Sequence, residues 1–110
     1  MPKTLRGPLL ARYETRARVM KALAHPTRLF LVDELAVGPR CVCELTALVD
    51  ADVSTVSKHL AVLRSAGIVA DEKRGAQVFY RLLTPCVRSW SSCVEGVLAA
   101  EARRAGLMAG

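Results

Sequence analysis

The stretch Asp52–Leu82, with the sequence DVSTVSKHLAVLRSAGIVADEKRGAQVFYRL, decides the fold. In its first half the apolar residues Val56, Leu60 and Leu63 recur at i, i+4 and i+7, which predicts a helix with one buried face. This helix is expected to run from Val53 to about Ala66. In the second half, strand-forming residues on both sides of a Gly-Ala pair predict a short two-stranded ribbon. The stretch therefore predicts a helix followed by a basic β-hairpin.

A second short helix is predicted immediately upstream of this stretch. It runs from Pro39 or Arg40 to Val49 and is followed by the turn Asp50-Ala51-Asp52. The two strands of the ribbon are placed at Ile68–Arg74 and Gln77–Leu83, joined at Gly75-Ala76. Two short helices joined by a tight turn and followed by such a ribbon are typical of a winged helix-turn-helix.

Three more helices complete a mainly α fold with a small β-hairpin wing, in the order α-α-α-α-β-β-α. Their predicted bounds are Ala11–Ala24, Thr27–Val37 and Thr84 or Pro85 to Arg104, with Pro26 in the first turn of the second. The chain then divides into a flexible arm at residues 1–10, one DNA-binding and dimerisation domain at residues 11–104, and a tail at residues 105–110.

The last helix carries a long apolar stripe for which so short a chain has little core left. We expect the stripe to be buried against a second copy of the chain, and packing within one chain is the alternative. The members of the stripe are Val87, Trp90, Val94, Val97 and Leu98.

Composition and charge restrict the class of partner. Sixteen Lys and Arg against ten Asp and Glu give the 110-residue chain a formal net charge of +6. Such a charge suits a polyanionic partner such as nucleic acid, and it also suits a solvated surface. The sequence has no run of about eighteen apolar residues and no signal-peptide pattern. We therefore expect a cytoplasmic protein without a membrane partner, in which the four cysteines stay reduced.

The helix at 53–66 and the tip of the ribbon hold the candidate DNA-binding residues. Asp52 or Ser54 is expected to cap this helix, and the hydroxyls near its start can donate to phosphates or base edges. The ribbon tip can follow the DNA backbone or enter the minor groove, and a solvated turn is the alternative. For His59 a packed or solvent-facing position is the alternative. The candidates for double-stranded DNA are Ser54, Thr55, Ser57, Lys58, His59, Arg64, Lys73, Arg74 and Gln77.

Four stretches of the sequence resemble the ArsR/SmtB transcriptional repressors. They are ALAHPTRL at 22–29, CVCEL at 41–45, STVSKHLAVL at 54–63 and AGIV at 66–69. The resemblance covers about residues 15–100. It implies a homodimeric winged-helix repressor that leaves its operator DNA when an inducer binds. It also implies that the first and last helices build the dimer.

The pair Cys41 and Cys43 lies in the first turn of the predicted helix after Pro39. On an intact helix these side chains point about 200° apart, so both sulfurs meet one ion only if the turn is distorted or one cysteine lies at its edge. The helix start and Arg40 are expected to favour the thiolate forms, which bind soft ions. The family resemblance implies that Cys41 and Cys43 bind arsenite, antimonite, cadmium, lead or related ions.

The resemblance also implies a third sulfur ligand, for which the sequence has no local candidate. Arsenite sensors often carry a further cysteine in the same helix, where Thr46 and Ala47 stand here, and the N-terminal arm used by cadmium and lead sensors has no cysteine. Cys86 and Cys93 share a face of the last helix but lie about 10.5 Å apart along its axis. Cys86 of one chain meets Cys93 of the other if two last helices pack antiparallel. The alternative is that both are small core residues.

The available ligands favour a soft ion over zinc. The last helix has no histidine for the nitrogen and oxygen site of the zinc and nickel members of the family. The expected inducer is As(III) or another thiophilic ion, namely Sb(III), Cd(II), Pb(II) or Hg(II), and no organic cofactor is expected.

Other functions remain open at this point. A repressor that senses oxidation or sulfur species is the second hypothesis, but it needs two sulfurs that can meet, which an intact helix makes difficult. An enzyme with a reactive cysteine and a histidine base is disfavoured because no Asn or Asp is placed to orient the histidine. A winged helix with a purely structural or protein-binding role is a further alternative.

Overall fold

A computed structural model describes residues 3–109 of the chain. Its elements are α1 (Gly7–Leu23), α2 (Pro26–Val37), β1 (Arg40–Cys41), α3 (Val42–Ala47), α4 (Val53–Ser65), β2 (Val69–Arg74), β3 (Gln77–Leu82) and α5 (Val87–Ala109). Met1, Pro2 and Gly110, which belong to the predicted arm and tail, lie outside the described residues. The predicted winged helix-turn-helix is confirmed.

The core forms where α2, α3 and α4 pack against the sheet. Val56, Leu60 and Leu63 of α4 are all fully buried, which confirms the inward face predicted from their spacing. Leu31 of α2 and Leu45 of α3 are also fully buried. The remaining core residues come from the ends of α1, from α2 and from the sheet, and they are Ala22, Leu23, Val32, Leu35, Ile68, Val69 and Tyr80.

The strands of the described chain form one antiparallel sheet in the order β1-β3-β2. In the wing, the register runs from Val69 opposite Leu82 to Arg74 opposite Gln77. Gly75 at the tip has a φ of 62°, a left-handed conformation that glycine adopts without steric cost. The hairpin therefore begins and ends within one residue of its predicted bounds.

The strand β1 corrects the predicted start of the third helix. Arg40 pairs with Tyr80 and Cys41 pairs with Phe79, so the chain stays extended through Cys41. The helix α3 begins only at Val42 and ends at Ala47, rather than spanning Pro39 or Arg40 to Val49. Backbone pairing with β3 overrides the helix start that a proline normally indicates.

The first and last helices are longer than predicted. The helix α1 begins at Gly7, four residues before the predicted Ala11, and a proline sits in its first turn, where its missing N–H costs nothing. Residues 7–10, predicted to be a flexible arm, are thus helical. The helix α5 begins at Val87 and continues past the predicted end at Arg104, because residues 99–105 are mostly Ala, Glu and Arg, which favour helix.

Both of these helices leave apolar side chains open to solvent. On α1, Leu10, Tyr13 and Met20 are 38–52% exposed. On α5 only Val87 of the predicted stripe packs against the core. The others, Trp90, Val94, Val97 and Leu98, are 40–58% exposed. Packing of the whole stripe within one chain, the alternative interpretation, is therefore wrong.

Within the described residues, the helices include none that is both long enough and apolar enough to cross a membrane.

We expect Leu60→Ala to lower the free energy of unfolding by about 2–5 kcal/mol, because it leaves a cavity in a fully buried site. The measurement is urea denaturation followed by far-UV circular dichroism. Lys58→Ala on the exposed side of the same helix is the matched control and should change stability by about 0.5 kcal/mol or less. Equal stability of the two variants would contradict the described core.

Candidate nucleic-acid interface and thiol site

The helix α4 is fixed at its N-terminus by a side-chain cap. Asp52 Oδ1 accepts hydrogen bonds from the Thr55 N–H at 2.8 Å and from the Ser54 hydroxyl at 3.0 Å. The backbone hydrogen bond from Thr55 is the main reason that the pKa of Asp52 lies below its ordinary value of 3.8. Of the two predicted caps, Asp52 is the one used, and it places Val53 as the first helical residue.

Part of the predicted DNA surface is open to solvent. Ser54, Thr55 and Lys58 are exposed on α4, and Lys73 is exposed near the tip of the wing. Ser57 is half-buried on the side of α4 that faces the wing. A helix start with hydroxyls and a cation beside a basic hairpin is suited to contacts with phosphates.

Three of the predicted DNA-binding residues are engaged within the protein. Arg64 donates to Asp71 at 2.8 Å, which partly compensates its charge. Arg74 lies over the Phe79 ring, 4.6 Å from its centroid, and donates to Glu72 at 3.3 Å. The His59 ring packs 4.4 Å from that of His25, which agrees with the packed position considered as an alternative.

The two sulfurs of the Cys-Val-Cys segment meet. Cys41 is the last residue of β1 and the N-cap of α3, with an extended backbone at φ −78° and ψ 159°. Its Cα lies 5.3 Å from that of Cys43, and the two Sγ atoms are joined as a disulfide. The predicted exception applies, because Cys41 lies at the edge of the helix and not within it. The disulfide differs from the expectation that all four cysteines stay reduced.

The helix start holds Cys41 through a reciprocal pair of hydrogen bonds. The Glu44 N–H donates to Cys41 Sγ at 3.3 Å, and the Cys41 N–H donates to Glu44 Oε1 at 3.3 Å. Arg40 lies 3.5 Å from Glu44 and 3.7 Å from Glu34, so carboxylates surround the cation that was expected to favour the thiolates. The role of Glu44 was not predicted, although Cys-Val-Cys-Glu has the spacing of a capping box with cysteine in place of serine.

A groove of about 370 Å³ connects the cysteines with both DNA-reading elements. Its walls come from the cysteine segment, from the start of α4 and from the first residues of β3. Gln77 Nε2 lies 3.9 Å from Cys43 Sγ. The lining residues are Cys41, Val42, Cys43, Val53, Ser57, Ala76, Gln77 and Val78. A chemical change at the sulfurs therefore takes place beside Ser57 and Gln77.

The other two cysteines lie apart from this pair. Cys86 and Cys93 are exposed and unbonded, so the alternative that they are core residues of one chain is wrong. Over residues 3–109, no three His, Cys, Asp or Glu side chains come together in a way that could hold a metal ion. The cysteine pair would supply two thiolate ligands only after reduction of its disulfide.

These elements define the class of protein: a winged helix-turn-helix regulator, with a disulfide-bonded cysteine pair beside the first half of β3 in its wing. A sequence profile for the family described as "Bacterial regulatory protein, arsR family" matches residues 25–71, from the N-cap of α2 into β2. The chain belongs to this family.

Individual relatives agree with this assignment. The chain is 40% identical over 76 residues to the arsenical resistance operon repressor of Escherichia coli, a match that covers 68% of this chain and 64% of that protein. It is 38% identical over 82 residues to the biofilm growth-associated repressor of Xylella fastidiosa, which covers 74% of this chain and 72% of that protein. The chain spans less than two thirds of the length of several curated relatives, 51–64% in four of them.

A solved structure shows the same architecture over nearly the whole chain. It is the solution structure of the homodimeric winged helix-turn-helix DNA-binding domain of a possible ArsR-family regulator from Mycobacterium bovis. The TM-score is 0.77 at 29% identity, and the match covers 94% of this chain and 95% of that one.

We expect Asp52→Ala to lower the melting temperature, since α4 loses its cap, and Asp52→Asn to preserve it, because asparagine caps equally well. The lowered pKa of Asp52 means that its charged form stabilises the fold above 3.8 and that this contribution is lost as the pH falls through the lowered pKa. The difference in melting temperature between the native protein and Asp52→Ala should therefore shrink on acidification. Thermal melts at neutral and acidic pH test this, and equal melting of the Ala and Asn variants at neutral pH would contradict it.

Proposed function

We propose that the protein is a DNA-binding transcriptional repressor that leaves its operator when a thiol-binding inducer, arsenite or antimonite, binds Cys41 and Cys43. The observation that carries this proposal is the groove in which the two sulfurs lie against Ser57 of α4 and Gln77 of the wing. Family membership and the printed function of the Escherichia coli relative, an arsenical resistance operon repressor, support it.

The DNA-binding part of the proposal rests on the exposed start of α4 and the basic wing. In helix-turn-helix proteins the second helix enters the major groove with its N-terminal residues at the base edges. Here that end presents Ser54, Thr55 and Lys58, and we assign contacts with backbone phosphates to Lys73 and Arg74 on the exposed wing. The net charge of +6 adds a general attraction to the polyanion.

The dimer in this proposal follows from the open apolar faces of α1 and α5. Trp90, Val94 and Leu98 would remain in water if the chain acted alone, and burying them against a second copy is favourable. A twofold dimer presents two copies of α4, which suits two half-sites about 34–36 Å apart on DNA. The homodimeric relative from Mycobacterium bovis supports this arrangement.

The inducer part of the proposal rests on soft-ligand chemistry. Thiolate ligands select ions such as As(III), Sb(III), Cd(II) and Pb(II). When such an ion binds the reduced pair, the sulfurs can no longer interact freely with Gln77 and with the Glu44 N–H. By linkage, any loss of DNA affinity caused by the ion is matched by an equal loss of ion affinity caused by DNA.

A redox switch at the same cysteines is the second candidate function. It is favoured by the position of Cys41 in β1, which lets the two sulfurs form a disulfide within one chain. Oxidation would remove two protons and two electrons from the dithiol and pass the electrons to an oxidant such as a peroxide. The disulfide would then replace two thiols beside α4 and the wing.

We expect Lys58→Ala and Arg74→Ala each to weaken binding to operator-region DNA, because each removes a cation placed for a phosphate. Fluorescence anisotropy at several salt concentrations measures this, and the slope of log Kd against log salt should fall by about 1 for each lost contact. Arg103→Ala, an exposed cation near the end of α5, is the control and should leave Kd unchanged. Unchanged affinity in the Lys58 and Arg74 variants would contradict the proposed DNA surface.

We expect arsenite or antimonite to weaken operator binding by the reduced protein about 5–150-fold, the usual range for coupling between two sites. The same titration is run with Cd(II), Pb(II), Zn(II) and hydrogen peroxide. Cys41→Ser/Cys43→Ser should abolish the response. The matched control Cys86→Ser/Cys93→Ser should retain it, because both of these cysteines lie apart from the groove.

The outcomes of this titration separate the hypotheses. Release by Cd(II) or Pb(II) alone would replace arsenite as the inducer, and release by peroxide alone would establish the redox switch. Loss of the response in the control variant would show that the α5 cysteines supply ligands. No release under any condition would contradict both thiol hypotheses while leaving DNA binding intact.

A further inference from the structure

One guanidinium group joins three helices at the back of the DNA-reading element. Arg28 on α2 donates from Nε to the carbonyl oxygen of Ala22 at 2.5 Å and from Nη2 to that of Lys21 at 3.3 Å. Both carbonyls belong to the C-terminal turn of α1, where carbonyls lack the usual helical partner. The Lys21 carbonyl also accepts from the Ala24 N–H at 3.2 Å. The Nη1 atom of Arg28 lies 3.3 Å from Nδ1 of His59 on α4.

The donor and acceptor roles of these groups indicate that Nδ1 of each histidine accepts a hydrogen bond. A guanidinium group can only donate, so Nδ1 of His59 must accept and its ring must be neutral in this arrangement. The His25 ring stacks on that of His59 with 4.4 Å between the centroids. Nδ1 of His25 accepts from the Thr27 N–H at 3.1 Å and caps α2, which requires an unprotonated Nδ1 there as well. The contacts of Arg28 and His25 with His59 form one polar junction.

Apart from this junction, little apolar packing fixes the angle between α1 and α4. An open cavity of about 700 Å³ separates the two helices and is lined by Val19 and Ala22 on one side and by Ala61 and Val62 on the other. Of the α1 residues, only Ala22 and Leu23 are buried among the described side chains. Polar contacts at the end of α1 therefore have a large share in holding it to the body of the domain.

We infer that Arg28 is a positioning residue, which through His59 holds the DNA-contacting helix α4 at a fixed angle to α1. This inference rests on the proposed function, in which α1 belongs to the dimer and α4 reads the operator. Because α1 carries the exposed apolar face, the junction transmits the geometry of the dimer to α4. Two half-sites can be contacted at once only if both copies of α4 have the correct separation.

The junction is sensitive to acid. Burial lowers the pKa of His59 below its ordinary value of 6.5, and the proximity of His25 and of the Arg28 guanidinium group lowers it further. The neutral ring is thus favoured in the fold, and the contact with Arg28 is lost as the pH falls through the lowered pKa. Among the described residues, a protonated His59 would face His25, the N-cap of α2, and Arg28 on α2, and neither of them is an anionic partner.

Operator affinity of the full chain, measured by fluorescence anisotropy, tests the inference. Arg28→Lys keeps the charge but cannot reach three acceptors at once, so we expect Kd to rise at least about fivefold. Arg18→Lys is the matched control, because Arg18 lines the same cavity but bonds only to the exposed Thr15 hydroxyl, and it should match the native protein. Melting temperatures identify any variant that is unfolded at the assay temperature.

Two variants of His59 separate positioning from direct DNA contact. His59→Leu removes the acceptor and should weaken binding as much as Arg28→Lys, and the double variant should be no weaker than either single one. His59→Asn keeps an oxygen near the position of Nδ1 without titrating. It should bind like the native protein at neutral pH and lack the decline in affinity that we expect of the native protein as the pH falls through the lowered pKa of His59.

Each of these measurements either supports or contradicts the positioning role of Arg28. Native affinity in Arg28→Lys, or losses that add in the double variant, would overturn the positioning role while leaving DNA binding established. A pH profile that is the same in His59→Asn and in the native protein would also overturn it. Failure of the native protein to bind operator DNA would overturn the proposed function and this inference together.

Discussion

The pairing of two residues with the middle of the wing determines where the chemistry of this protein can act. Arg40 and Cys41 pair with Tyr80 and Phe79, and this keeps the chain extended through Cys41, where a helix was predicted. The sulfur of Cys41 consequently turns towards that of Cys43 instead of pointing away from it. The same pairing fixes both cysteines beside the first half of β3, because β3 is also a strand of the hairpin. Without β1, the segment would be an ordinary amphipathic helix start with two divergent thiols.

Local patterns were enough to predict α4 and the wing. The spacing of Val56, Leu60 and Leu63 determines one face of a helix, and Gly75 determines a turn, so both were identified to within one or two residues. A strand of two residues has no period to recognise, which is why β1 was missed. The contact of Gln77 with Cys43 spans 34 residues and depends on the assembled sheet. Sequence chemistry thus identified the two cysteines and the reading helix, and tertiary pairing alone determined how they meet.

The net charge of the chain does not show which of its cations are paired with carboxylates. Arg40, Arg64 and Arg74 all lie beside carboxylates. In the described part of the chain, Lys58 and Lys73 appear in no ion pair, and both stand on the surface proposed for DNA. Exposed ion pairs contribute little to stability, so the paired arginines can exchange a carboxylate for a phosphate at small cost. The electrostatic contribution to DNA binding therefore depends on which cations are unpaired, and not only on the total of +6.

The cap on α3 connects the chemistry of the two cysteines with the packing of the helices. In most capping boxes a serine or threonine oxygen accepts a hydrogen bond from the backbone N–H three residues on. Here Cys41 Sγ accepts this bond from the Glu44 N–H, which would otherwise lack a partner. This hydrogen bond is present while Cys41 is joined to Cys43, so reduction of the disulfide, or binding of a soft ion to the reduced sulfurs, changes the charge and the direction of the acceptor. The helix α3 has only six residues, so its first turn is half of its length. The helix α3 packs directly on α4 through the fully buried Leu45. A change in the cap therefore affects the position of α4 through the core as well as through the groove.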